Sequence, residues 1–582
     1  MRFPIALIIG TPWLLFEPLS VAAAAQQVPL SSRPLNPKTH DGRIGTIASS
    51  EFDPAGAFET ALGDLQSHFF TLLRGTWPSG NDWTRAVTAT YVAASLSTIS
   101  RTTPEDSLGQ ACDPKLTAEG GDVRDSAPSE FDPQQTTINH YFSQLIAFYY
   151  GQNVISLRRQ AYDDMLWVVL GWLEAIKFIK LHTELHHPAA KGVSPRWYGE
   201  KYNPTFTGRA IEFYELASHG WDEMLCGGGM LWNPNLRPYK NSITNELYIA
   251  ASMEMYHNIP EDRADQEQRQ KYLDAALRGH AWLMSINMVN DYGLLADGVH
   301  VRGYQIAPNG TVTSDACDLR NERVYTYNQG VLLTGLRGLY EATGNETFMH
   351  QGYELIEAVY AATHWQDDLS NSADDPMTTK YAMHQQGNLG KGGIIEEACD
   401  PWGMCSQDGQ TFKGIFFHHL TRFCSPLDRE SASEAILTLQ AQSCHVYAAW
   451  ITKNAEAAWA TRSEKGVIGS WWRLGLQSKP GGLSTEKEMP WRPPPGSVRS
   501  GGRRKTNDPP KGFLPLTGDA SNPFGFGVLG EDLNDRGRGR TLESQGGGLS
   551  VLRALREWSV WDHSAVDGRP SGWRSNLRSR DL

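Results

Sequence analysis

The chain has 582 residues, 40% of them hydrophobic and 20% charged, with a formal net charge of −12. This is the composition of a folded globular protein and not of a disordered one. The acidic balance argues against a nucleic-acid partner, which requires a basic face to meet phosphate. Nineteen Trp, 21 Tyr and 20 Phe supply either a large core or ring faces for stacking on sugars; composition leaves both open.

Residues 1–25 read as a secretory signal: Arg2 supplies the positive start, Ile5 to Phe16 a mostly apolar stretch, and Val21 to Ala25 small residues suited to cleavage. Residues 26–50 are rich in Pro and Ser and form a leader to the fold. From there helical spacing of apolar residues predicts helices over 57–73, 82–99, 137–150, 163–181, 208–225 and 242–256. The same spacing continues over 266–288, 325–342, 347–363, 411–423, 431–460 and 547–558. Alternating patterns are scarce, and those near Gly298 to Ile306 suggest a short hairpin. No later stretch offers about 20 consecutive apolar residues, so no stable membrane span is expected after signal cleavage.

Twelve helical segments without βαβ alternation imply an all-α architecture. Six antiparallel pairs closing on themselves would make an (α/α)6 barrel, a six-hairpin toroid; an open superhelical stack is the other solution. The lack of a fixed-period repeat favours closure. The expected organisation is a catalytic barrel over 51–478 with a surface insertion at 103–133. A Pro/Gly/Arg-rich insertion at 479–540, more flexible than folded, leads to a closing helix at 541–560 and a polar tail at 561–582. That tail lacks the hydrophobic stretch of a GPI-attachment signal.

Seven Cys at 112, 226, 317, 399, 405, 424 and 444 suit an oxidising, secreted or extracellular setting. An odd number leaves at least one unpaired, and Cys399 and Cys405 are close enough to close a small loop. His182 and His186 stand four apart and could share a metal on one helix face, but the Glu of the zinc-protease pattern does not follow the first His. No metal or organic cofactor is expected. Asn309 and Asn345 open N-glycosylation sequons.

The chemistry centres on Asp163 and Asp164, adjacent acids flanked by Tyr162 and Trp167. Two carboxyls at close range drive their pKa values apart, the condition for one to act as an acid while the other is ionised. One of them could equally cap a helix while the other is solvated. Downstream, Gly227-Gly228-Gly229 leads to Trp232, and three glycines let a backbone approach a ligand or another surface closely. Asn241, Asn245 and Glu246 cluster at a helix mouth, where amides and carboxylates suit sugar hydroxyls and where Asn241 also suits an N-cap. Tyr327, Asn328 and Gln329 combine a stacking face with paired donors and acceptors. Lys413 stands just ahead of an apolar run, either as a substrate or carboxylate partner or as a surface residue.

Taken in order, Tyr162 to Trp167, Gly227-Gly228-Gly229 with Trp232, Tyr239-Lys240-Asn241 through Leu247, Tyr327 to Gly330, Phe412 to Phe416, and Asn454-Ala455 with Trp459 resemble glycoside hydrolase family 76, the α-1,6-mannanases and their cell-wall relatives. The resemblance covers roughly Ala57 to Arg462. It implies an (α/α)6 barrel, α-1,6-linked mannan as partner, and a retaining mechanism with Asp163 as nucleophile and Asp164 as general acid/base. Neighbouring Cα atoms lie ~3.8 Å apart, compatible with the ~5–5.5 Å carboxyl separation of retaining enzymes. Water or a sugar acceptor could resolve the intermediate, giving hydrolysis or transglycosylation. The two insertions depart from the family pattern, and the missing GPI signal puts a wall-remodelling role in doubt. A terpene synthase would need a third carboxylate where Trp167 stands. A non-catalytic carbohydrate-binding barrel is the stronger rival, disfavoured by retention of both acids.

Overall fold

A computed structural model of the chain describes residues 52–102, 133–187, 197–305, 317–365, 387–477 and 532–561. In chain order its long helices are α1 (Pro54–Phe69), α2 (Asp82–Thr102), α3 (Pro133–Gly151), α4 (Tyr162–His186), α5 (Asn203–Ser218) and α6 (Ser242–Asn258). They continue as α7 (Gln266–Ser285), α8 (Thr326–Thr343), α9 (Thr347–Ala362), α10 (Gln407–Cys424), α11 (Glu434–Ala460) and α12 (Leu542–Val560). Each even-numbered helix packs on the next even-numbered one, and α12 packs back on α2, which closes a ring. The odd-numbered helices return the chain outside it. Thr84 bonds Glu543 near the starts of α2 and α12, and Thr98 bonds the same helix's Glu557 near their ends, so neighbours in the ring run parallel. This is an (α/α)6 barrel.

The two rings differ as their sequences require. An inner helix has neighbours on every side, and α2 is buried from Ala86 through Ser100. Several of its hydroxyls are satisfied within the helix: Thr88 donates to the Thr84 carbonyl at 2.8 Å and Thr98 to that of Ala94 at 3.1 Å. Outer helices bury one face; α9 covers Phe348, Met349, Gly352, Tyr353, Ile356 and Val359 at helical spacing. Close crossings need glycine, because a Cβ on Gly414 of α10 would stand 2.7 Å from the Gly547 Cα of α12.

Several helix boundaries differ from expectation, three of them for evident local reasons. The helix expected over 208–225 ends at Ser218, because Gly220 turns the chain and Trp221 bridges to Met230 across the following loop. Helix α10 begins at Gln407 because Ser406 caps it, its hydroxyl accepting from Gly409 N. Helix α12 begins at Leu542 behind a capping box of Thr541 and Ser544. The hairpin expected near 298–306 is instead the middle of a three-stranded antiparallel sheet. Strand β1 (Tyr239–Asn241) pairs with β2 (Ala296–His300), which pairs with β3 (Leu319–Val324). A second, two-stranded sheet joins β4 (Gly390–Lys391) to β5 (Ile394–Ile395).

Toward the C-terminal ends of the inner helices, partly buried ion pairs link neighbouring helices. Lys177 meets Glu174 at 2.7 Å and Glu254 at 3.2 Å, and Arg422 meets Glu341 at 2.7 Å. Burial alone would raise Glu254, but Lys177, Arg422 and His257 outweigh it and hold it low. Such pairs fix which helices meet more than they add net stability. Disulfides join Cys226 to Cys317, Cys399 to Cys405 and Cys424 to Cys444.

The expected signal and leader, Cys112 and Asn309 lie outside the described residues. So do most of the insertions at 103–133 and 479–540 and, apart from Trp561, the tail. The last residues of the second insertion are folded against the barrel, contrary to its expected flexibility: Asn534 is buried and accepts from Trp471 N at 2.8 Å. Arg536 donates to the Pro401 carbonyl at 2.9 Å. Among the described residues no helix is long and apolar enough to cross a membrane.

Candidate active site

The inner helices all start at the same rim, and a cleft of about 430 Å³ opens there. It is lined by Asn81 just before α2 and Asp82 and Trp83 within it, by Gln160 and Ala161 of the turn before α4, by Asp163, Asp164 and Trp167 of α4, by Trp232 and Asn233, by Tyr327, and by Asp408 and Phe412. Helix N-termini carry partial positive charge, so a rim built from several of them favours carboxylates and developing negative charge.

Asp163 and Asp164 occupy the first turn of α4, and Ala161, with no capping side chain, stands at the N-cap. The Asp164 amide donates to Asp163 Oδ1 at 3.0 Å, and Asp163 is 5% exposed. Around them the aromatic walls are braced from behind. Trp83 stacks on Trp167 with centroids 5.8 Å apart, and its Nε1 donates to Asp408 Oδ1 at 3.1 Å. Gln160 donates to Asp82 at 2.7 Å. Trp232 is placed by its backbone, which accepts from Tyr162 N and donates to the Tyr239 carbonyl, both at 2.9 Å.

Of the residues singled out in the sequence, the fold thus brings Asp163, Asp164, Trp167, Trp232 and Tyr327 to one cleft. It does not bring the others to the lining. The Tyr162 ring packs against Gly220, where a Cβ would approach it to 2.6 Å. Asn241 caps α6 through Thr244 N. Asn245 clamps Met230, accepting from its amide at 2.7 Å and donating to its carbonyl at 3.2 Å. Gln329 does the same for Leu295, accepting at 2.8 Å and donating at 3.0 Å. Lys413 is buried in an ion pair with Asp400 at 2.5 Å, and the Cys399–Cys405 disulfide closes the loop that carries this aspartate. The triple glycine approaches protein and not ligand: with φ +92° at Gly229, a Cβ there would stand 2.4 Å from the Trp282 ring. Buried Lys240 gathers that loop by donating to the carbonyls of Asp222 and Leu225 at 2.7 and 2.6 Å.

Glu246 and Asn328 are fully buried between α6 and α8. Neither Glu246 carboxylate oxygen and neither Asn328 amide atom has a hydrogen-bond partner among the described residues, nor has the Tyr327 hydroxyl. Burial, then the charge of Asp297, pushes the Glu246 carboxyl well above the usual carboxylate range. Asp297 itself accepts from Tyr239 at 2.5 Å and from Asn321 at 2.8 Å. The Tyr327 hydroxyl is held protonated by burial first, then by Asp297 and Asp163. Of these groups the Tyr327 phenol lines the cleft with the carboxylate pair, where it can serve sugar hydroxyls and proton transfer.

Trp83, Asp297 and Asn81 were missed in the sequence; a Trp directly after Gly80-Asn81-Asp82 at a helix start was the available signal for the first. His182 and His186 both turn to Ser100, its Oγ at 3.0 Å from His182 Nδ1 and its carbonyl at 2.7 Å from His186 Nε2. Among the described residues no group of three or more His, Cys, Asp or Glu is arranged to hold a metal.

The family model for glycosyl hydrolase family 76 matches residues 194–488. The chain belongs to this family. The match begins downstream of the aspartate pair, which is placed by the fold. Family relatives include mannan endo-1,6-alpha-mannosidase DCW1 of Saccharomyces cerevisiae, 25% identical over 209 residues, spanning 34% of this chain and 36% of that protein. Mannan endo-1,6-alpha-mannosidase DFG5 of the same yeast is 27% identical over 240 residues, spanning 39% of this chain and 42% of the relative. The matches to these two relatives therefore span less than half of their length. Among solved structures, the GH76A alpha-1,6-mannanase from Salegentibacter sp. HEL1_6 aligns with TM-score 0.47 at 15% identity, covering 86% of this chain and 99% of that one.

Proposed function

We propose that the chain is a secreted retaining glycosidase that cleaves α-1,6-mannosidic linkages within mannan. The observation that carries this reading is the adjacent acid pair in the first turn of α4, set in an aromatic-walled cleft of a family 76 chain. The names of the yeast relatives support α-1,6-mannan as the substrate class. Three disulfides support an extracytoplasmic setting.

In this mechanism Asp163 attacks the anomeric carbon while Asp164 gives its proton to the departing glycosidic oxygen. Asp164, now a carboxylate, takes a proton from water, and the hydroxide displaces Asp163 from the glycosyl-enzyme. If a sugar hydroxyl takes the place of water, the same steps yield transglycosylation. The aromatic walls of Trp83, Trp167 and Trp232 supply stacking faces for successive mannose rings. Both carboxyls stand at a helix N-terminus, which favours the ionised nucleophile.

The test is incubation with an α-1,6-linked mannotetraose, followed by NMR of the first-formed anomer. Retained α-anomer is expected, with turnover lost in Asp163→Asn and in Asp164→Asn. Azide, which needs no base to activate it, should restore turnover as glycosyl azide when Asp164→Ala is assayed on an activated aryl mannoside, because that leaving group needs no acid. Inverted product would overturn the two-step scheme, and a fully active Asp163→Asn variant would overturn the nucleophile assignment.

A further inference from the structure

Large apolar side chains left exposed by the barrel concentrate on the loops that enter the inner helices, the same loops that frame the cleft. Leu72 and Leu73, 69% and 97% exposed, form the tip of the turn before α2; Tyr150, 75% exposed, closes α3; Ile155, 67% exposed, lies in the turn before α4. Met224 and Leu236 stand exposed on the loop before α6. Leu185, Tyr198, Leu277 and Val446 stand exposed elsewhere; scattered residues of that kind need no explanation, but a concentration on the cleft-bearing loops does.

The backbone holds the tip outward. Thr71 N bonds the Thr76 carbonyl at 2.9 Å across the base of the turn. Gly75, at φ +59°, packs so tightly on α3 that a Cβ would come within 2.4 Å of the Ala147 carbonyl. A Cβ on Gly151 would meet the Gly75 carbonyl at the same distance, so the Leu72-Leu73 tip is fixed beside the end of α3.

Exposed basic side chains stand on the same loops. Arg74, Arg159 and Arg237 are exposed on these loops and enter no ion pair among the described residues, in a chain whose net charge is −12. A second copy presenting the same arginines would be repelled, whereas anionic headgroups over an acyl interior complement both features. We propose that the cleft-bearing face docks on an anionic phospholipid bilayer, with Leu72 and Leu73 entering the headgroup boundary and Arg74 and Arg159 meeting lipid phosphates. The cleft would then act on glycan held close to the membrane.

Co-sedimentation of the full chain with phosphatidylcholine vesicles, with and without phosphatidylserine, tests this without reference to turnover, so its outcome is separable from that of the glycosidase reading. Wild-type protein should bind the anionic vesicles more tightly. The Leu72→Ser/Leu73→Ser variant should lose about tenfold or more in affinity, and Arg74→Glu/Arg159→Glu should lose the preference for phosphatidylserine. Both variants should keep wild-type melting temperatures and wild-type turnover of a soluble oligosaccharide. Equal vesicle binding by wild type and the leucine variant would overturn the proposal, and so would concentration-dependent self-association that this variant abolishes. Because every variant carries residues 1–51 unchanged, binding contributed by that apolar segment cancels in the comparison.

Discussion

The rings of Tyr327 and Phe412 lie face to face, centroids 3.9 Å apart and planes 13° apart, joining the starts of α8 and α10 at the cleft. The stack aims a buried phenol whose proton is retained because burial, Asp297 and Asp163 all oppose its loss. Tyr327→Phe keeps the stack and removes only the hydroxyl. It should fold as wild type and lose about 10- to 100-fold in kcat/KM, the range expected for one donor near developing charge. Phe412→Ala should instead cost about 3–5 kcal/mol of stability through the cavity it leaves. Denaturant melts and steady-state kinetics on mannotetraose separate the two, and a fully active Tyr327→Phe would remove the hydroxyl from the mechanism.

Asp408 holds Trp83 Nε1 at 3.1 Å and Asn81 Nδ2 at 3.4 Å, and so keeps Trp83 stacked on Trp167. Asp408→Ala frees the indole to leave that position. A loss of about 1–1.5 kcal/mol in binding should appear as a roughly tenfold rise in KM for oligosaccharides, with kcat little changed. If kcat falls and KM stays fixed, Asp408 acts on the reaction and not on the wall.

Glu397 gives a pH dependence whose sign can be worked out. It is buried, accepts from Thr326 N at 3.1 Å, and burial lifts its pKa to about 7 against the pull of Lys413. The folded chain therefore holds this proton more tightly than the unfolded one, in which Glu titrates near 4.3. Its contribution is fully present below the unfolded pKa and is lost as pH rises through the folded value near 7. The loss is at most about 3–4 kcal/mol. Glu397→Gln can still accept from Thr326 N but cannot ionise. The stability gap between wild type and Glu397→Gln should shift against wild type between pH 4.5 and 7.5 in urea titrations. A gap that stays flat across that range would show that Glu397 is ionised throughout.

The barrel was legible because twelve amphipathic or wholly apolar runs leave few other ways to bury their faces, and the aspartate pair because its aromatic neighbours make an unusual helix start. Helix ends were less legible where a cap or turn outweighed apolar spacing, as at Ser406 and Gly220. The polar residues at helix mouths were the hardest to assign. Asn245, Gln329 and Lys413 look like sugar ligands in one dimension, yet a barrel rim has many loop amides and carbonyls to satisfy, and these side chains are consumed there. Trp83 was invisible as a wall residue because its partner Trp167 is 84 positions away and only the ring closure of α2 on α4 brings them together.

Asn245 shows how the two kinds of role can be told apart in solution. Its amide oxygen takes the Met230 N–H and its amide nitrogen gives to the carbonyls of Met230 and, at 2.8 Å, Asn241. Asn245→Leu keeps the bulk and strips the Met230 amide and carbonyl of these bonds, at about 1–3 kcal/mol for each group that stays dry, while the Asn241 carbonyl keeps its place at the head of α6. The destabilisation should therefore reach about 2 kcal/mol or more in chemical melts, and below the melting transition the folded fraction should keep wild-type affinity for mannotetraose by calorimetry. Asn245→Asp retains the oxygen acceptor but loses the donors, so it should fall between the two. A variant that melts like wild type while losing oligosaccharide affinity would place Asn245 at the ligand and reverse the structural assignment.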